Sequence, residues 1–396
     1  MRILLTDGSG LTARQVAGRL AEAGHSVDAL APDPFCLCRF TRHVHKIRRV
    51  PPFGAGPVAW LDAAMAAYAD GGYDLLFPTQ EQVALLAAVP DRLQEAGVVT
   101  VVPEFAALAS VQDKASAQRT LERYGLPQPS GALGLAGWDR FPAYLKEPIG
   151  TASGGVRRLA SAHDVSAAEW ESKDLVVQAA VEGPLAMCQS VFDHGSLVAF
   201  HANLRTGEGS SGGASRKRSI DLPEARSWME VLGGGLGWHG ALSADVIVET
   251  GGPVFIDINP RLVEPNNAWY AGADLVGAML DLARGAPPGA PGPGRPDVRT
   301  HQLLLAVLGN AQQGRGRQGV WIELVAAGRH TGPYAGSREE LTPMDHDPLS
   351  VVPLVIASVA TLCRPRSWEW FASGSVANYA LTAAAWEEIC ALAAHR

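Results

Sequence analysis

One strand-like segment, "VFIDINPRL" (254–262), carries polar side chains that could bind a metal ion. Side chains two positions apart on a strand point to the same face, so Asp257 and Asn259 project together. Arg261 would follow them if the strand continued past Pro260. Mg2+ takes carboxylate and amide oxygens from proteins and its remaining ligands from water and phosphates. The segment therefore predicts an oxygen-rich face with a positive charge at its end.

The residues before this segment predict the partner strand of a hairpin. "LSADVIVE" (242–249) and "PVFIDIN" (253–259) flank a Thr-Gly-Gly turn. On antiparallel strands Asp245 can lie near Asp257 and Asn259, which would bring two carboxylates and an amide oxygen together. A solvated hairpin face with ordinary polar residues is the alternative, because Asp-x-Asn often occurs by chance.

A second segment, "YLKEPIGTASGGVRRL" (144–159), combines a lysine with a glycine-rich loop. Lys146 ends a short predicted strand, and the loop leads into the next strand. Glycines let backbone N–H groups approach phosphate oxygens closely, and the lysine supplies a point charge. The loop is not a P-loop, because no Gly-Lys-Ser/Thr opens a helix. A flexible hairpin with a surface lysine is the alternative.

A third segment, "DKASAQRTLERYGLPQPSG" (113–131), predicts an amphipathic helix that opens at Lys114 and stops at Gly125 and Pro127. A lysine at a helix N-terminus is unfavourable in the field of the helix dipole. A bound phosphate would compensate for this cost.

The elements that must position these residues fall into three regions. Residues 1–102 alternate short apolar runs with amphipathic stretches, which predicts a parallel α/β sheet with helical crossovers. Its first turn, residues 7–10 (DGSG), lacks the third glycine of a dinucleotide-binding loop and predicts a tight turn. The next region predicts an α+β unit, and the Pro/Gly-rich residues 284–297 a linker. After it, "GVWIELVAA" (319–327) predicts a strand and the C-terminus a helix.

The composition is that of a globular protein of two or three domains, with 396 residues, 47% of them hydrophobic and 18% charged. The formal net charge of -7 gives no basic field for a nucleic acid. Five scattered cysteines and the lack of a signal-peptide pattern favour the cytoplasm, and no apolar run is long enough to span a membrane. We expect small-molecule partners, no nucleic acid and no membrane, with a homodimer left open.

In their order along the chain, these segments resemble the ATP-grasp superfamily, specifically its carboxylate-amine ligase branch. The resemblance also includes "VVQAAVEGP" (176–184) and a Gly- and Ser-rich loop, "LRTGEGSSGGASRKRSIDLPE" (204–224), and it covers residues 1 to about 285. It implies three parts. They are an N-terminal pre-ATP-grasp α/β domain (1–102), an ATP-grasp domain (103–284) with a lid subdomain at about 129–180, and a C-terminal α+β region (285–396).

The resemblance implies how ATP would bind to this sequence. Lys114 and Lys146 would contact phosphates, and the loop 151–155 would close over the β- and γ-phosphates. The strand that begins near Gln178 would meet adenine with its backbone. The implied nucleotide-binding residues are Lys114, Lys146, Gly150, Ser153, Gly154, Gly155, Gln178, Ala180, Val181 and Glu182.

The resemblance also implies a metal site for two Mg2+ ions, with Mn2+ as the alternative ion. The implied ligands are Asp245, Asp257 and Asn259. Arg205, in the mobile Gly- and Ser-rich loop, and Arg261 would neutralise the transferred phosphoryl group and the acyl phosphate. One departure from the family pattern is Leu185, which stands where a ribose-binding carboxylate is expected, so that Glu182 would have to substitute for it.

The implied activity is ATP-dependent formation of an amide or peptide bond through an acyl phosphate, on amino-acid-like small molecules. Such chemistry depends on positioning and charge neutralisation more than on a catalytic base. The lack of a readable Ser-His-Asp triad therefore does not count against it. Two alternatives stay open: a carboxylase-type enzyme that activates bicarbonate, and a non-catalytic nucleotide-binding protein.

Overall fold

Three β-sheets form the frame of the protein, which is seen in a computed structural model over residues 1–151, 154–287 and 294–394. The strands of the first sheet are β1 (Arg2–Leu5), β2 (Ser26–Ala31), β3 (Ile47–Arg49) and β4 (Leu75–Phe77). They are parallel and lie in the order β3-β2-β1-β4. Its helices are α1 (Leu11–Glu22), α2 (Pro57–Gly71), α3 (Gln82–Ala88) and α4 (Pro90–Glu95). The predicted parallel α/β sheet is confirmed.

The turn between β1 and α1 is a tight turn closed by an aspartate. The two carboxylate oxygens of Asp7 accept hydrogen bonds from the backbone N–H groups of Ser9 (2.9 Å) and Gly10 (2.6 Å). These bonds satisfy N–H groups at the start of α1, which has no other side-chain cap. The N–H groups of Ser9 and Gly10 are therefore not free to bind a phosphate.

A small antiparallel sheet follows two helices, α5 (Phe105–Gln112) and α6 (Lys114–Arg123). Its strands are β5 (Gly131–Leu133), β6 (Ala143–Lys146), β7 (Val156–Leu159) and β8 (Val176–Ala179), in the order β5-β8-β6-β7, with α7 (Ala167–Glu171) between β7 and β8. It has an apolar cluster of its own, which includes Leu145, Leu159 and Val177. The sheet lies within the predicted lid subdomain, and the domain boundaries themselves stay predictions.

The third sheet is the largest, with seven strands. Its strands are β9 (Leu185–Asp193), β10 (Ser196–Glu208), β11 (Ala214–Ile220), β12 (Gly240–Glu249), β13 (Gly252–Asn259), β14 (Arg299–His301) and β15 (Arg338–Glu339). They lie in the order β13-β12-β9-β10-β11-β14-β15, and only the β14–β15 pair is parallel among these described strands. The helices between β11 and β14 are α8 (Pro223–Leu236), α9 (Asn266–Ala271) and α10 (Leu275–Ala283).

The large sheet has one apolar and one polar face over its central strands. Cys188, Ala202, Ala244 and Phe255 point into a hydrophobic core that also contains Met229 of α8. Because side chains alternate along a strand, their neighbours in sequence point to the opposite face, where polar residues prevail. Part of the opposite face packs against α10, as Val191 and Ala241 do, and polar residues of this face line a cleft.

The C-terminal region consists mainly of helices, which are α11 (Leu303–Gln312), α12 (Gly316–Gly328), α13 (Val351–Cys363), α14 (Trp368–Ala377) and α15 (Ala383–Ala394). The prediction of a strand at 319–327 is wrong, because these residues belong to α12. Val320, Glu323 and Ala327 are its buried positions, with the spacing of a helix face, whereas Trp321 and Ile322 are exposed. The β-branched and aromatic residues that suggested a strand are thus outweighed by packing against α11 and α13.

Part of the predicted linker at 284–297, residues 288–293, lies outside the described residues. Across the described part of the chain, no helix combines the length and the apolar character that a membrane crossing requires.

A buried ion network joins the C-terminal region to the large sheet. The ammonium of Lys217 on β11, only 1% exposed, contacts the carboxylates of Glu264 (2.5 Å) and Glu340 (2.7 Å). Burial lowers the pKa of Lys217, but the two carboxylates outweigh it and hold that pKa above its ordinary value. Gln302, which precedes α11, donates to both glutamates. The network therefore links four segments that are distant in sequence.

We predict that Lys217→Met lowers the free energy of unfolding by about 3–5 kcal/mol, because it leaves two buried carboxylates without a counter-charge. Denaturant titration followed by circular dichroism measures the loss. Lys173→Met, at an exposed lysine, is the control and should change stability by less than about 0.5 kcal/mol. Equal losses in the two variants would contradict the assigned role of the network.

Candidate active site

A cleft of about 1110 Å³ is lined by segments that follow the strands of the first sheet, by strands of the other two sheets and by the C-terminal helices. Most of the residues predicted for the site line this cleft. They are Lys114, Lys146, Gly150, Gly154, Gln178, Val181, Arg205, Asp245, Asp257, Asn259 and Arg261. Gly155, Ala180 and Glu182 are not among the lining residues, and Ser153 lies outside the described residues.

The two predicted metal carboxylates face each other across the hairpin. Asn203, Met187, Asp245 and Asp257 are successive cross-strand partners on β10, β9, β12 and β13, so they form one row on the polar face. Like charges directly opposite each other destabilise a sheet. Burial, and next the charge of Asp257, raise the pKa of Asp245 to about 7. A divalent cation would relieve this repulsion, so the residues fit a metal site.

A β-bulge next to Asp257 shapes this wall of the cleft. Asp245 pairs with Asp257 while Val246 pairs with Phe255, which leaves Ile256 as the extra residue on β13. Phe255 therefore stays in the hydrophobic core, whereas both Ile256 and Asp257 line the cleft. Simple alternation predicts opposite faces for these two neighbours, so the bulge could not be read from the sequence.

Lys146 is a buried cation held beside the carboxylate pair. Its side chain is 7% exposed, and its ammonium donates to the Gln178 side-chain oxygen (2.8 Å) and to the bulged Ile256 carbonyl (2.6 Å). Burial holds the pKa of Lys146 below its ordinary value. The nearby Asp257 carboxylate raises this pKa, and the Lys114 ammonium lowers it. An ammonium has three donors, so one is left for a ligand in the cleft.

The described part of the glycine-rich loop between β6 and β7 lies beside the other predicted phosphate-binding lysine, Lys114. A Cβ on Gly150 would lie 2.2 Å from the Gly154 carbonyl oxygen and 3.8 Å from the Lys114 ammonium. Only glycine fits there, which places bare backbone next to a positive charge. The Thr151 hydroxyl accepts a hydrogen bond from the Leu381 N–H (3.3 Å), so the C-terminal region also contacts this loop.

Strand β8, which was expected to bind adenine through its backbone, ends at N–H groups that already donate hydrogen bonds within the protein. The N–H groups of Ala179 and Ala180 donate to the carbonyls of Ser130 (2.8 Å) and Pro142 (2.9 Å). Val181 lines the cleft, but Glu182 is exposed. The adjoining wall is an apolar slot, formed by Val156, Leu185, Met187, Ile247 and Ile256. A flat apolar ring would fit such a wall better than a polar group.

Two arginines extend the positive charge beyond the carboxylate pair. Arg205 donates to the Gly212 carbonyl (2.7 Å), and Arg261 donates to the Glu81 carboxylate (3.1 Å). The predicted loop at 204–224 is wrong at its start, because Arg205 lies within strand β10, two residues after Asn203 and on the same face. Strand β10 therefore places this guanidinium beside the carboxylate row.

Sequence reasoning missed several residues of the cleft. The buried Asn203 amide nitrogen has no hydrogen-bond partner among the described residues, and the side chain lines the cleft. The sequence could have indicated this residue, because Asn203 lies two positions before Arg205 and so on the same face of a strand. Glu81, Glu264 and Tyr379 also line the cleft. No local pattern marks them, because they come from separate regions that meet only in the folded chain.

Comparisons with known proteins point to a fold shared with nucleotide-binding enzymes. No protein-family model matches this sequence, and no curated protein sequence matches it. Among solved structures, the biotin carboxylase domain of Hydrogenobacter thermophilus 2-oxoglutarate carboxylase, in complex with MgADP and bicarbonate, is 18% identical, with a TM-score of 0.60. The match covers 75% of this chain and 73% of that one. This similarity concerns the fold alone.

Two further structures support the same assignment of fold. Biotin carboxylase from Campylobacter jejuni is 17% identical with a TM-score of 0.59, over 75% of this chain and 74% of that one. N5-carboxyaminoimidazole ribonucleotide synthetase from Thermus thermophilus is 18% identical with a TM-score of 0.55, over 76% of this chain and 81% of that one.

We predict that Mn2+ binding weakens about tenfold for each pH unit below about 7. The reason is that Asp245, with a pKa of about 7, is protonated at lower pH and cannot bind a cation. Electron paramagnetic resonance titration of Mn2+ between pH 5.5 and 8 measures the dependence, and Asp245→Asn should weaken binding at pH 8 and remove most of the slope.

The control for this experiment is a second group of side chains that could bind a metal ion. Asp193, His194 and His239 lie close enough to share an ion, on the β9–β10 turn and before β12. Asp193→Asn should leave the pH-dependent binding intact. If Asp193→Asn abolished it instead, the measured ion would belong to this other group and the assignment to Asp245 would fail.

Proposed function

Because the chain has the ATP-grasp fold, we propose that it is an ATP-dependent carboxylate-amine ligase that forms an amide or peptide bond through an acyl phosphate. One observation carries the proposal: the opposed pair Asp245 and Asp257 lies among the cations Lys146, Arg205 and Arg261 on one wall of the cleft. Such an arrangement neutralises charge on terminal phosphates, which is the main requirement of phosphoryl transfer.

ATP would lie between the small and the large sheet. Lys114 and Lys146 would bind its phosphates, with the backbone of the glycine-rich loop above them. The apolar slot would hold the base, with Val181 at its edge. The side-chain oxygen of Gln178 already accepts a hydrogen bond from Lys146. Gln178 would therefore position this lysine rather than contact the base.

The carboxylate pair and the amide of Asn259 would hold Mg2+, or Mn2+ in its place. When bound, the ion shields the charge of the phosphate oxygens. The chain itself supplies the orientation of the ligands, because Asp245 and Asp257 are fixed by the ladder of β12 and β13. The two arginines would act on the acid substrate.

The reaction then needs two displacements. A carboxylate oxygen of the acid attacks the γ-phosphorus, the bond to the β-γ bridging oxygen breaks, and ADP leaves. The amine attacks the acyl carbon, phosphate leaves, and the amine nitrogen loses a proton. Arg205 and Arg261 would neutralise the carboxylate and the acyl phosphate, and the Glu81 carboxylate holds the Arg261 guanidinium in place.

A second candidate is a carboxylase-type enzyme that activates bicarbonate. It is favoured by the similarity to the domain of Hydrogenobacter thermophilus, which was solved in complex with MgADP and bicarbonate. The two candidates share the nucleotide and metal groups and differ in the acid that accepts the phosphoryl group.

We predict that Lys146→Met lowers the rate of ADP formation about a hundredfold, because one preorganised charged donor is lost. Phosphate release over a panel of amino acids, as pairs of acid and amine, measures the rate. Lys173→Met is the control and should keep the wild-type rate. If both variants lost activity equally, the loss would reflect general destabilisation and not phosphate binding.

The route of the oxygen atoms separates the candidates. With an acid labelled by oxygen-18 in its carboxylate, we expect one labelled oxygen in phosphate and none in ADP, because the phosphoryl group leaves with the attacking oxygen. Mass spectrometry of both products measures the label. Labelled AMP with unlabelled phosphate would overturn the acyl-phosphate route. Label transferred from bicarbonate but from no organic acid would favour the carboxylase. ATP hydrolysis indifferent to every acid would favour a non-catalytic role.

A further inference from the structure

One part of the cleft is lined by apolar side chains, most of them from the C-terminal region, where the sequence shows no motif. We define this apolar pocket by Leu37, Leu305, Leu308, Ile356, Trp370 and Phe371, all of which line the cleft. Leu37 and Phe371 both pack against the hydrophobic cluster that contains Leu308, which brings these three side chains together. The rings of Trp370 and Phe371 lie edge to face, with centroids 4.8 Å apart.

The apolar pocket begins next to the proposed reaction centre. Arg205 donates to the Gly212 carbonyl, and a Cβ on the adjacent Gly213 would lie 3.6 Å from a Leu305 methyl group. A second connection runs through Glu264, which lines the cleft and accepts a hydrogen bond from Gln302, the residue before α11. Helix α11 is therefore anchored beside the arginine that would neutralise the acid substrate.

Two side chains of the apolar pocket are unusually exposed for their size. Trp370 is 72% exposed and Ile356 is 47% exposed. Large apolar side chains that are exposed inside a cleft mark binding surfaces, because a ligand that covers them removes apolar area from water. The polar groups needed to orient a substrate, which are the arginines and the carboxylate pair, line the same cleft.

We infer that the acid substrate is a carboxylic acid with a large aliphatic or aromatic side chain, such as an apolar amino acid. Its carboxylate lies at Arg205 and its side chain fills the apolar pocket. The inference rests on the proposed ligase function, because it takes the position of the carboxylate from that reaction. Small or charged acids leave the pocket unfilled and bind weakly.

Steady-state kinetics over glycine, alanine, valine, leucine, phenylalanine and tryptophan as acids tests the inference. We expect KM to fall about fourfold for each added methylene group. Trp370→Ala should raise KM for phenylalanine about tenfold and KM for alanine much less. Trp321→Ala removes an equally large tryptophan that is 60% exposed on α12 and does not line the cleft. This control should keep the wild-type KM values.

A binding experiment separates failure of this inference from failure of the proposed function. The same acids are titrated by calorimetry into the protein with MgADP, where no turnover occurs. Affinity that rises with side-chain size and falls in Trp370→Ala, without ADP formation in any assay, would support the pocket and overturn the ligase. Turnover and affinity independent of side-chain size would keep the ligase and overturn the pocket. Equal effects of Trp370→Ala and Trp321→Ala would also overturn it.

Discussion

The opposition of two carboxylates across one hairpin is the constraint on which the rest of the cleft depends. Asp245 and Asp257 are direct cross-strand partners, and their burial weakens the screening of their repulsion by water. Their ionised state therefore needs positive charge nearby. The fold provides it from three places, with Lys146 from the small sheet, Arg205 from β10 and Arg261 from the segment after β13. An anionic ligand would be held by the same cations.

The large sheet can carry these charges because its other face is apolar. The core around Phe255 and Met229 stabilises the strands, so the polar face does not have to. Lys217 and its two glutamates then bind the C-terminal region to the same sheet through a network that is costly to break once buried. This attachment holds α11 at the cleft, and α14, which contacts α11, lines the cleft as well.

The fold alone does not indicate which acid is the substrate, whereas the side chains that line the cleft do. Structures with this fold include carboxylases and a ribonucleotide synthetase, so the fold does not select one acid. The carboxylate pair and the lysines would serve any of these reactions, because they act on phosphates. Selectivity for the acid would arise in the apolar pocket, where Leu305 and Trp370 of the C-terminal region form apolar surface.

The sequence alone determined the features that follow from short-range rules. Strand alternation and a Thr-Gly-Gly turn predicted the hairpin with Asp245 near Asp257, and a lysine before a glycine-rich loop predicted the cation at Lys146. Tertiary structure decided what depends on packing between distant segments. It set the bulge at Ile256, because Phe255 had to stay in the core. It made residues 316–328 a helix, since α11 and α13 pack against its buried face, and it assembled the apolar pocket from segments that no local pattern connects.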